Sequence, residues 1–74
     1  MIPYVRIREV RLEKKLSQTQ LAKKAGISQS YLSELESNKK SPTLRQLCKI
    51  ADALGVMPGE LVYYAQKVPN RSEL

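Results

Sequence analysis

Gln29, Ser30, Tyr31 and Ser33 lie close together in the stretch ISQSYLSELESNKKSP, residues 27 to 42. They bring amide and hydroxyl groups to neighbouring positions of what reads as a helix. Leu32 and Leu35, three residues apart, are spaced to bury one side of that helix, so the polar groups take the other. Ser30, Tyr31 and Ser33 are not among the best helix formers. A row of neutral donors and acceptors suits hydrogen bonding to a polar partner; the alternative is an ordinary solvated helix face.

Little else in the chain offers chemistry. There is no histidine, so the usual imidazole base and metal ligand is missing, and the single cysteine, Cys48, allows neither an internal disulfide nor a zinc-binding thiol pair. No glycine loop could cradle a phosphate, and the expectation is no enzyme, no metal and no cofactor. The N-terminus lacks a signal-peptide hydrophobic region, and no apolar run approaches the roughly 18 residues of a membrane span. A cytoplasmic setting without membrane partners is therefore expected. Thirteen basic against seven acidic residues give a net charge of +6. The excess lies in residues 1 to 40, which points to a polyanion partner for that half, with simple solubility as the alternative.

A chain of 74 residues supports one domain. We place it at residues 1–66, with 67–74, KVPNRSEL, as a flexible tail. Residues 4 to 15 lack Gly and Pro and predict a first helix, with Pro3 in its first turn and Ile7 and Val10 inward. Arg8, Glu13 and Lys14 face outward. Ser17 followed by Gln20 is a capping-box pattern for a second helix that starts at Gln18 and stops at Gly26. Ser28 caps a third, from Gln29 to about residue 37, and Asn38 suits a left-handed terminator.

Ser41 and Pro42 open a fourth helix with an inward stripe of Leu44, Leu47, Cys48, Ala51 and Leu54, ended by Gly55. Within that stripe Cys48 reads as a small core residue. Pro58 begins a short fifth helix through Leu61, Val62 and Tyr64. The predicted fold is all-α, with five helices and no strand. Only Gly26 to Ser28 separate helices two and three, and so tight a turn sets them at a steep angle, as in a helix-turn-helix.

From Ile7 to Leu61 the chain resembles the lambda-repressor-like, Cro-type helix-turn-helix family of bacterial and phage regulators. Arg11, "LSQ", "QLA", Gly26, Leu32, Glu36, Pro42, Leu44 and "ALGV" fall in register together without a gap. The resemblance implies a sequence-specific regulator, such as a repressor, that binds double-stranded DNA with helix three in the major groove. Gln29, Ser30, Tyr31, Ser33 and Glu34 would then meet base edges. Gln18, Ser28, Ser37, Asn38, Lys39 and Lys40 would meet phosphates, with solvated loop charges as the alternative for Lys39 and Lys40. Arg11 and Glu36 match a family ion pair between helix one and the end of helix three.

A single module makes few base contacts, so a homodimer on a palindromic operator is expected. Val56, Met57, Leu61, Val62, Tyr63 and Tyr64 offer a candidate dimer surface, or alternatively close the core. With almost no sequence outside the module, no small-molecule effector site is expected. A stand-alone phage or plasmid regulator, or a restriction-modification controller, fits by resemblance. An antitoxin-like module that binds a partner protein, as well as or instead of DNA, is the alternative.

Overall fold

Two short strands at the ends of the described chain enclose four helices in the computed structural model, which describes residues 2–65 and the side chains of residues 4–63. The order is β1 (Ile2–Val5), α1 (Ile7–Glu13), α2 (Gln18–Ala25), α3 (Gln29–Glu36), α4 (Leu44–Leu54), a 3-10 turn (Pro58–Leu61) and β2 (Val62–Ala65). The expected tail, residues 67–74, and the domain boundary at 66 lie outside the described residues. No helix among the described residues is long and apolar enough to cross a membrane.

The middle of the chain follows its local signals. Ser17 Oγ accepts from the Gln20 amide at 3.0 Å while the Ser17 amide donates to Gln20 Oε1 at 2.8 Å, which satisfies two donors at the start of α2. Ser28 Oγ accepts from the Tyr31 amide at 3.0 Å and starts α3. Gly26, at φ +72°, turns the chain out of α2. A Cβ there would meet nothing within 4 Å, so only backbone strain opposes a side chain. Gly26→Ala is accordingly expected to lower the unfolding free energy by about 1 kcal/mol, measured in urea, with α3 contacts unchanged.

Leu21, Leu32, Leu35, Ile50, Ile7 and Leu61 are fully buried and make the centre of the core. Burial of each contributes about 1.5–3 kcal/mol. Val10, Ala22, Ala25, Leu47, Ala51 and Leu54 complete it, while Ile27, Val56 and Val62 pack on it from the edges.

Four expectations require correction, and with them the count of five helices and no strand; the fold remains mostly helical, with four helices and one short strand pair among the described residues. The first helix does not begin near residue 4: Ile2–Val5 is a strand paired antiparallel with Val62–Ala65, in the register Tyr4 opposite Tyr63 and Val5 opposite Val62. Valine and tyrosine favour this pleated surface once a partner strand is present, and that partner lies at the far end of the chain. The fifth helix shrinks for the same reason to one 3-10 turn, braced by the Met57 amide donating to Glu60 Oε2 at 3.2 Å.

The fourth helix is capped by Thr43, whose Oγ1 accepts from the Gln46 amide at 3.1 Å, and not by Ser41. With this start Leu44 falls outside the buried stripe, 75% exposed, and Ile50 enters it; Cys48 is half-buried. Finally, Leu61 is fully buried and so cannot lie on a dimer surface. Of its proposed companions, Val56 and Val62 lean on the core, whereas Met57 and Tyr63 are exposed at 69% and 50%. The Tyr63 ring also meets Tyr4 edge to face, centroids 5.2 Å apart. The Tyr64 side chain lies outside the described residues.

Candidate nucleic-acid interface

The start of α2 and the start of α3 meet through side-chain amides. Thr19 Oγ1 donates to Gln29 Oε1 at 3.1 Å, and Gln29 Nε2 donates to Gln18 Oε1 at 3.4 Å. Gln18 Nε2 in turn donates to Glu36 Oε1 at 3.0 Å. Glu36 also receives Arg11 as a fork, Nε to Oε2 at 2.7 Å and Nη2 to Oε1 at 3.1 Å, while Arg11 Nη1 donates to the Leu16 carbonyl at 2.9 Å. The two charged side chains are only 10% and 4% exposed. A bidentate pair so enclosed fixes direction as well as distance. One continuous chain of hydrogen bonds thus runs from α1 through the end of α3 to its first residue.

Beyond that chain the surface is open and polar. Gln18, Gln29, Ser30, Ser33 and Glu34 line one shallow depression of about 390 Å³. Their spacing on α3, four and three residues apart, puts them on one stripe. Gln29 keeps a second amide proton and a second lone pair for an external partner. The first amides of α2 have no intrahelical acceptor and carry the positive end of the helix dipole, so an anion is favoured beside Gln18.

A second depression, about 320 Å³, shares Gln18 and Ser33 with the first and adds Arg8, Arg11, Glu36 and Ser37. Arg8 is an addition to the residues singled out from sequence. It sits one helical turn before Arg11 on the same side of α1, and this i, i+3 relation was its only available signal. Thr19 was likewise missed, because its use depends on where Gln29 comes to rest.

The remaining candidates are distributed differently. Tyr31 is half-buried, packs against the core and lines neither depression. Ser28 is exposed, with its hydroxyl oxygen committed to the helix cap and its proton left to donate. Asn38 takes φ +60°, and its Oδ1 accepts from the Val5 amide at 3.2 Å, so this side chain ties the loop after α3 to β1. Lys39 is exposed. Lys40 Nζ lies 3.2 Å from Glu34 Oε1. Among the described residues no cluster of three metal-ligating side chains occurs.

Comparisons with known proteins agree with this geometry. A family model described as helix-turn-helix matches residues 7–61. The immunity repressor protein of Bacillus phage phi105 is 44% identical over 57 residues; the match covers 77% of this chain but only 40% of the repressor's length. A DNA-binding protein of Bacteroides fragilis, itself described as putative, superposes with a TM-score of 0.79 at 35% identity, over 84% of this chain and all of that one. The biofilm master regulator SinR, in a crystal structure with DNA, superposes with a TM-score of 0.70 at 40% identity, over 73% of this chain and 87% of that one.

Proposed function

The chain belongs to the helix-turn-helix family, and from that premise we propose that it is a sequence-specific transcriptional regulator whose α3 enters the DNA major groove. The observation that carries this reading is the single polar stripe Gln29, Ser30, Ser33 and Glu34 on α3, joined to Gln18 at the head of α2. Gln can bond bidentately to adenine N6 and N7, and Ser can serve several bases. Gln18, the α2 amides, Ser28, Ser37 and Arg8 flank the stripe where phosphates would pass, and Lys39 lies on the loop that follows α3. The net charge of +6 supplies the sequence-independent attraction.

Two copies would read an inverted repeat, with their reading helices about 34 Å apart, one turn of the duplex. Of the expected dimer surface, Met57 and Tyr63 are exposed and free to contribute. The test is selection from a randomised duplex pool at near-physiological salt, repeated at higher salt. The expected result is an inverted repeat whose enrichment over random sequence persists while overall affinity falls. A single unrepeated half-site would remove the dimer. Retention with no motif at all would show that the charge merely grips phosphate, and would direct the search to a protein partner.

A further inference from the structure

Glu34 is the one acid in a depression otherwise lined by neutral amides and hydroxyls. A bare carboxylate there would be repelled by the phosphates on either side of the groove. It is not bare: Lys40 Nζ lies 3.2 Å from its Oε1. Nor does this pairing depend only on the reach of a long side chain. The carbonyl of Glu34 itself accepts from the Lys39 amide at 2.9 Å, the Lys40 amide at 3.4 Å and Ser37 Oγ at 3.3 Å. Asn38, at φ +60° and tied to the Val5 amide, makes the reversal that these contacts need. The loop is folded back over the end of α3, and its backbone sets the ammonium group beside the carboxylate.

We propose that Glu34 and Lys40 act as one neutral unit that selects a cytosine, with Lys40 serving as the counterion that lets Glu34 stand at the groove. This assignment rests on the DNA-reading function proposed above and replaces the expected role of Lys40 as a phosphate contact. The chemistry favours cytosine among the four bases. Guanine O6 and N7 and thymine O4 are acceptors and repel a carboxylate, and the adenine amino group stands beside the N7 acceptor. The cytosine N4 amino group is a donor with only a carbon-bound hydrogen next to it. A lysine already paired with a carboxylate also releases little counterion when DNA binds, so it adds little to the salt dependence of affinity.

The pool selection is repeated with Glu34→Gln, Lys40→Gln and the double variant; both side chains are about half exposed, so neither change removes a core contact. Wild type is expected to prefer C·G at one position of each half-site by about tenfold. Glu34→Gln should lose that preference, and Lys40→Gln should flatten it at the same position. The double variant should behave as Glu34→Gln alone. The proposal is overturned if Lys40→Gln weakens all sequences equally and lowers the salt slope by about one, with or without Glu34, as a phosphate contact would. It is also overturned if the wild-type motif has no C·G preference that these variants move. A wild type that recovers no motif would instead overturn the DNA-reading function itself, which distinguishes the two failures.

Discussion

Arg11→Met is expected to lower the free energy of unfolding by about 3 kcal/mol, a large part of what holds a small domain together. The cause is Glu36 and not the lost arginine contacts alone. Its carboxylate side of the pair is 4% exposed and would keep only Gln18 as a partner. The Leu16 carbonyl would lose its donor as well. Removing both charges, Arg11→Met with Glu36→Leu, should cost less than the single change, because no unpaired ion then remains in a nearly closed site. Urea unfolding followed by helical circular dichroism measures each variant. A loss under 1 kcal/mol for Arg11→Met would place the pair among solvent-screened surface ion pairs.

The second large effect should leave stability nearly untouched. Replacing Gln29, Ser30 and Ser33 together by alanine puts better helix formers at three exposed positions, so the fold should survive or gain slightly. Affinity for the selected operator, by contrast, should fall at least hundredfold toward the level of random duplex, since each lost base contact is worth about 1–3 kcal/mol. Binding to random sequence at low salt should persist through the unchanged basic residues. Titration of both duplexes with both proteins gives the comparison. An unchanged ratio between operator and random duplex would mean that α3 does not read sequence.

Legibility in the sequence followed the range of the interactions. Ser17 with Gln20, Gly26, Ser28 and Gly55 announce their helix ends because each cap is completed within a few residues. The inward face of α3, Leu32 and Leu35, was equally legible from spacing. The strands were not, since nothing near Tyr4 reveals Tyr63 as its partner. In α4, Ser41 with Pro42 and Thr43 offer competing starts a few residues apart, and the choice of Thr43 moved Leu44 out to solvent. The polar stripe was found because it breaks helix preference on one face. Arg8, Thr19 and the Glu34 to Lys40 contact were missed, because each acquires its meaning only when separate segments are brought side by side.

The β1 and β2 ribbon has a consequence for how the chain reaches this state. Its paired residues are about sixty positions apart, whereas the turns that join the helices are local. Closing so long a loop carries an entropy cost that short-range helix contacts avoid. The helices and their shared core are therefore expected to assemble first, with the ribbon zipping on the native side of the folding barrier. Weakening its Val5 to Val62 pairing would then quicken unfolding and barely alter the folding rate. The ribbon is in this sense a late clasp that governs how long the reading domain stays folded more than how quickly it forms.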